Sequence, residues 1–288
     1  LLSMLAAKMA GVPVRMHTFT GLIFPSRTGV MQRLLIQMDR LLCWAATHIY
    51  PEGNGVKLDL INYDITSKPL KVLANGNVNG IDLEFFSSTQ VSPEQKEQLQ
   101  QELGLQPNDF VYIFVGRLVG DKGINELITA FNSPLFWRGV GGEAKLLLVG
   151  PFESELDPLQ PETLKVIETH PNIISVGFQS DVRPYFAVSD CLVFPSYREG
   201  FPNVVMQAGA MELPSIVTDI NGCNEIIVEG ENGTIIPVKN IEAIKTAMQK
   251  MMNNKEFYLK LKENARPMIQ SCYEQSVVWN ALLEEYQM

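Results

Sequence analysis

Residues 190–218 hold the pattern that most restricts how this chain can fold. An apolar, β-prone run at 190–195 passes into a polar turn. A segment suited to a helix follows, and then a second apolar run at 215–218. Pro202 can stand at the first helical position, where its missing N–H costs nothing. Pro214 limits the other end, so the expected helix covers 203 to about 212. A strand, turn, helix and strand this closely spaced form a unit of parallel sheet. In open parallel sheets ligands bind beyond the carboxyl ends of the strands. The turn here carries Glu199 and Gly200. A helix N-terminus beside it would offer unpaired N–H groups to a phosphate, and Gly200 would let the backbone come close to that ligand. A plainer reading stands next to this one: a glutamate ahead of a helix favours its dipole.

The same alternation runs through most of the chain. Residues 110–115 are almost wholly apolar, as expected of a strand with helices on both faces. Runs at 145–149 and 172–176 repeat the pattern and end at Gly150 and Gly177, with a further strand at 233–236. Helices are expected near 124–131, 161–169 and 181–188, and Ser92 with Pro93 opens another that stops before Gly104. Upstream, strands are expected at 12–19, 47–50 and 70–73, with helical spacing at 31–44 and 56–63. Turn formers crowd residues 75–80, which places a domain boundary there. The last 50 residues read as helical, broken near Arg266 and Pro267 because proline disrupts a helix interior. The fold class is therefore α/β with parallel sheets. The expected domains are 1–78, 79–268 and a C-terminal helix at 269–288 that crosses back to the first, with Trp279 as a candidate contact.

With 46% hydrophobic and 19% charged residues in 288, the composition is that of a globular protein. No apolar run nears the roughly 18 residues that span a bilayer. The cysteines (Cys43, Cys191, Cys223 and Cys272) lack metal-ligand spacing, and a reducing, cytoplasmic setting is expected. Residues 1–80 carry a net charge of +4 within a total of −9. That asymmetry suits an anionic partner such as a diphosphate or a membrane face, though ordinary scatter over a short segment gives the same sum.

Arg117 and Lys122 lie on the loop that follows the 110–115 strand, just after Gly116. Two cations at the mouth of a parallel sheet suit a diphosphate, or are simply solvated. Gly116, Arg117 and Leu118, with Lys122 and Gly123, begin a series of motifs. It continues through Leu148, Val149 and Gly150, then Gly177 and Phe178, then 199–205, and ends at 232–234. Together these closely resemble the C-terminal domain of family-4 glycosyltransferases, retaining enzymes of the GT-B type in which two Rossmann-like domains face across a cleft. The resemblance covers 75–288 in order. Residues 1–74 resemble only the later part of that family's N-terminal domain, so the expectation is a GT-B-like fold with the N-terminal, acceptor-side domain truncated.

The resemblance implies roles. Arg117 and Lys122 match cations on the donor diphosphate, which need no metal beside them. Glu199 matches the first acid of a paired-acid motif near the donor sugar, with Gly200, Phe201, Asn203 and Val204 around it. The second acid, which usually binds the ribose, is replaced here by Gln207; an amide can still bond a hydroxyl. Phe178 and Gln179 match a segment near the base, and Glu225, beside Asn224, a loop near the donor. His17 stands three positions before Thr20, the place where many members carry a histidine; alternation puts the two on opposite faces.

The implied function is retaining transfer of a hexosyl or N-acetylhexosaminyl group from a nucleoside diphosphate sugar, with UDP as the expected nucleotide. The acceptor is a saccharide or lipid-linked saccharide in surface polysaccharide synthesis. No cofactor, metal or nucleic acid is expected, and the N-terminal domain is the expected place for peripheral contact with the cytoplasmic membrane face. Because early strands are missing from the resemblance, poor transfer by this chain is expected. The alternative is a nucleotide-sugar-binding module without transferase activity, a reading that Gln207 favours.

Overall fold

The computed structural model describes residues 1–133, 143–153, 155 and 157–287, the side chain of residue 26 apart. In chain order it runs α1 (Leu2–Met9), β1 (Met16–Phe19), α2 (Gly29–Ala45), β2 (His48–Pro51), α3 (Asn54–Asn62) and α4 (Pro93–Glu102). Next come β3 (Phe110–Val115), α5 (Ile124–Phe131), β4 (Ala144–Val149), α6 (Pro161–Thr169), β5 (Ile173–Gly177) and α7 (Arg183–Ala187). The chain then continues through β6 (Cys191–Phe194), α8 (Asn203–Ala210), β7 (Ser215–Thr218), α9 (Cys223–Ile226) and β8 (Gly233–Ile236). It closes with α10 (Ile241–Asn253), α11 (Lys255–Tyr273) and α12 (Gln275–Tyr286).

The strands form two parallel sheets, a two-stranded β1-β2 and a six-stranded β5-β4-β3-β6-β7-β8. Each sheet has its own cluster of buried apolar side chains. The larger takes in residues from Ile81 to Tyr273 and the smaller those from Phe19 to Ile65. In the larger sheet the chain moves outward from β3 through β4 to β5, then returns to lay β6 on the other side of β3. Winding reverses between β3 and β6, and the loops leaving their carboxyl ends part there to open a crevice. That topology brings the loop after residue 115 beside the turn after residue 194, with Ile113 paired to Leu192 inside the sheet.

The ends of β3, β4 and β5 meet as backbone. The Gly116 N–H donates to Val149 and the Gly150 N–H to Gly177. A β-carbon on Gly150 would lie 1.8 Å from the Gly116 carbonyl oxygen, so the strand ends can approach only as glycines.

Several expectations change. Residues 70–73 form no strand: Leu70 makes a single bridge to Ile49, Lys71 is drawn to Glu285, and Ala74 turns to φ +48. The strand expected from residue 12 begins at Met16, because Arg15 is drawn sideways to the carbonyl of Ala45. The helix expected at 181–188 shortens to five residues, opened by Asp181 accepting from the Arg183 N–H. Pro267 does not break α11. Arg266 donates to the carbonyls of Leu83, Phe86 and Ala210, and Ile269 packs against Gly209 of α8. The helix is held from outside at the turn where proline removes an internal bond. The break falls at Glu274, where the chain extends to pair with Ile81 through Tyr273 O and Gln275 N.

From there α12 returns to the smaller sheet. Glu285, 3% exposed, accepts from the Tyr50 hydroxyl at 3.0 Å and from Lys71. Trp279, the contact expected from the sequence, is instead 55% exposed; Val278 is buried in its place.

Candidate active site

At the winding reversal a cavity of about 310 Å³ opens between the two sheets. One wall is residues 20–23, which follow β1. The other is Arg117, Asp121 and Lys122 from the loop after β3, with Arg198, Glu199 and Gly200 from the turn after β6.

Lys122 closes a short 3-10 turn, Gly120–Lys122, and Gly123 then adopts φ +71 to start α5. A β-carbon on Gly123 would strike the Pro195 carbonyl at 2.2 Å, so this glycine lets the two loops touch. The contact places Lys122 against Glu199, whose Oε1 accepts from the lysine amine and from Ser196 Oγ at 2.8 Å. Both charged side chains are largely buried, at 15% and 17% exposure. In so little water a charge pair acts more strongly than at the surface. The turn is braced from beneath, since Ser196 O accepts from Thr218 and the Tyr197 N–H donates to Asp121 O.

Arg117 is more open and pairs with Glu153 at 2.8 Å. That hydrogen bond, ahead of every other influence, holds its guanidinium more firmly protonated than usual. Arg198 pairs with Asp121 at 3.1 Å. The cavity therefore gathers Arg117, Lys122 and Arg198 with two acids, Asp121 and Glu199. Such a site can neutralise an anion as it forms and hold a carboxylate beside it.

The other sequence candidates divide. Gly116 stands at the strand end behind Arg117. Gly200 is close-packed against the protein rather than left open: a β-carbon there would lie 2.0 Å from the Thr20 carbonyl oxygen. Its lack of a side chain thus serves the junction of the two walls. Phe201 is buried against Tyr273, ring centroids 5.5 Å apart, and Asn203 accepts from the Asn77 amide. Val204 packs on the larger core, and Gln207 is half-buried one turn further along α8. Phe178, 74% exposed, and Gln179, bonded to Val176 O, lie at the end of β5 outside the cavity lining. Glu225 is engaged elsewhere. Its carboxylate takes the N–H groups of Asn54 and Gly55 at 2.6 and 3.0 Å, capping α3 of the smaller sheet. His17 packs edge-on against Phe19, and burial lowers its pKa below the usual imidazole value.

Two residues beside the cleft went unremarked in the sequence. Arg198 stands beside Glu199, and its only signal was that adjacency. Glu52 follows β2 and is buried, its carboxyl raised to about 7 by desolvation. An acid directly after a short apolar strand was the available sign.

The family profile described as "Glycosyl transferases group 1" matches residues 95–268. A capsular polysaccharide biosynthesis glycosyltransferase of Staphylococcus aureus, CapM, is 29% identical over 287 residues, 99% of this chain and 73% of that protein. An Escherichia coli UDP-Gal:alpha-D-GlcNAc-diphosphoundecaprenol alpha-1,3-galactosyltransferase is 26% identical over 265 residues, 88% of this chain. The chain spans 64% of that relative's length. Among solved structures, HepE from Anabaena, crystallised with UDP and glucose, superposes with a TM-score of 0.83 at 18% identity, covering 99% of this chain and 74% of its own. The likeness is one of fold, the α/β arrangement of GT-B glycosyltransferases.

Proposed function

The chain belongs to the group 1 glycosyl transferases, and from that premise we propose that it takes a sugar from a UDP-linked donor to a saccharide on a lipid-linked diphosphate. The observation that carries the reading is the Lys122–Glu199 pair at the winding reversal, with Arg117 beside it. As the bond from the sugar's C1 to the diphosphate oxygen breaks, its electron pair leaves with the diphosphate. Arg117 and Lys122 meet that charge as it grows, which is where electrostatic help lowers the barrier. The acceptor hydroxyl bonds to C1 and its proton passes to the departing phosphate. Attack from the face that the diphosphate leaves gives retention, and with two cations in place the reaction calls for no metal. To Glu199, held by Lys122 and Ser196, this reading gives the task of orienting the donor sugar.

The nucleotide and the lipid-linked acceptor are supported by what similar proteins are named for, the E. coli galactosyltransferase among them. The test is transfer of labelled sugar from UDP-galactose, UDP-glucose and their N-acetylamino forms to diphosphoundecaprenol-linked acceptors, with and without a chelator, followed by the anomeric form of the product. Transfer with retention in the chelator is the expected outcome. Inversion, or abolition by the chelator, would overturn the mechanism. Gln207, in place of a second acid, supports one other reading, a binding module; tight UDP binding with no transfer to any acceptor would favour it.

A further inference from the structure

Glu52 has no part in that chemistry, yet the structure builds it into the junction of the two walls. It follows β2, on the side of the cleft opposite Lys122, and is 7% exposed. Its backbone is fixed at both ends, the N–H donating to Phe19 O at 2.9 Å and the carbonyl accepting from Asn77 N at 2.8 Å. Its side chain reaches across the seam. The point where a β-carbon on Gly200 would stand is 3.1 Å from Glu52 Oε2 and 2.0 Å from Thr20 O. One small contact is thus shared by the Glu52 carboxyl, the loop at 20–21 and the backbone of the residue after Glu199.

The charged and titratable groups around that contact have other partners. On the turn, Glu199 is held by Lys122 and Ser196, and Arg198 by Asp121. From α9, Glu225 caps α3, and from α11 the Tyr273 hydroxyl donates to Glu225 O. From β1, His17 lies against Phe19, and the segment at 75–77 brings only Asn75 and Asn77 as polar side chains. No neighbouring charge moves Glu52; burial alone raises its pKa, to about 7. A carboxylate sealed here without a cation would have to draw water in, because an unpaired buried charge is costly.

We propose that Glu52 is a positioning residue for the transfer: as a neutral acid it lets the loop at 20–21 close on Gly200 and so holds Glu199 at the cleft, and as a carboxylate it parts them. The consequence for transfer rests on the function proposed above, whereas the seam is a property of the fold. Its carboxyl stands at about 7 in the closed fold against 4.5 when freed, so closure is firmest below about pH 4.5, weakens as pH rises to about 7 and changes no further above it.

Amide hydrogen exchange of the whole chain between pH 4.5 and 8, corrected for intrinsic rates, reads the seam without any substrate. In the wild type, protection of residues 199–201 should fall as pH rises from about 4.5 to about 7, by up to about tenfold per unit, and level off above, while the β3, β4 and β6 amides stay protected. Glu52→Gln, neutral at every pH, should keep the protection of 199–201 flat. A wild-type turn whose protection does not change with pH overturns the proposal, whatever the variant does. So does a variant that folds and still follows the wild-type curve. In transfer assays Glu52→Gln should remove the part of the fall in kcat that accompanies the rise from about pH 4.5 to 7, where a purely structural role would shift the rate equally at all pH. Flat exchange with measurable transfer refutes this inference alone; pH-dependent exchange without transfer from any donor refutes the proposed function alone.

Discussion

Strands β4, β6 and β7 are buried along almost all their length, whereas β1 in the smaller sheet reaches full burial only at Phe19. The helices show the same contrast. The α5 helix turns five side chains into the larger core, while α2 leaves Val30, Met31, Leu34, Met38, Leu41 and Trp44 exposed. The wall with Arg117, Lys122 and Glu199 therefore stands on a body with its own extensive core. The wall with residues 20–23 and Glu52 is secured by polar bonds across the seam: Glu225 to α3, Asn221 to Asp59 at 2.8 Å, and Glu285 to Tyr50 and Lys71. The difference teaches that the cationic wall is intrinsic to one unit, while the shape of the cleft depends on how the other is docked to it.

Dividing the chain at that seam is the harshest way to break the comparison. Residues 79–273 should unfold cooperatively in urea by circular dichroism, and residues 1–78 alone should show no transition. A cooperative transition in the shorter piece would mean that its core suffices without the seam. Next in size, Lys122→Ala should lower kcat/KM for transfer by about 10²–10³, the scale of losing one preorganised charge at the leaving group. A change below threefold would remove Lys122 from the chemistry.

The seam also makes a prediction about pH. Glu52 has a folded-state pKa of about 7 against 4.5 for the free side chain. The folded protein thus binds the extra proton, and the stability linked to it is full below about pH 4.5 and lost as pH rises to about 7. The loss amounts to roughly 3 kcal/mol. Urea midpoints for wild type and Glu52→Gln should diverge on that slope, and parallel curves would refute the burial argument. Arg117 is half exposed and already paired with Glu153, so Arg117→Ala should weaken UDP binding by only about tenfold in calorimetry, one charge-assisted hydrogen bond. Unchanged affinity would place the diphosphate elsewhere. Smallest of all, Glu225→Ala should cost about 1 kcal/mol of stability, as for other lost helix caps. A change of zero would mean that the bonds to Asn54 and Gly55 contribute nothing to docking.

Much of this was legible in the residues. The apolar runs at 110–115 and 145–149 could be little else than strands, because they are short, continuous and bounded by turn formers. Arg117, Lys122 and Glu199 were marked by standing at strand ends. What eluded the sequence was whatever a distant segment decides. Pro267 should have ended a helix, but Arg266 found three carbonyls from other parts of the chain. Residues 70–73 had a strand's composition, but only Leu70 met a partner. Gly200 does line the cavity, but no local pattern showed that the place of its missing side chain is taken by the Thr20 carbonyl.

The sequence by itself determined the class of fold, the strands of the larger sheet and the polar groups that their ends carry, since alternating apolar runs and helix signals act locally. Only the tertiary structure decided that the loop at 116–123 lies beside the turn at 196–200, because β3 and β6 become neighbours through the reversal of winding. It also decided that Glu52 would be buried, with its carboxyl raised to about 7, while Glu225 caps α3. A carboxyl's charge is set by the water and the N–H groups around it, and those come from segments that no local pattern connects.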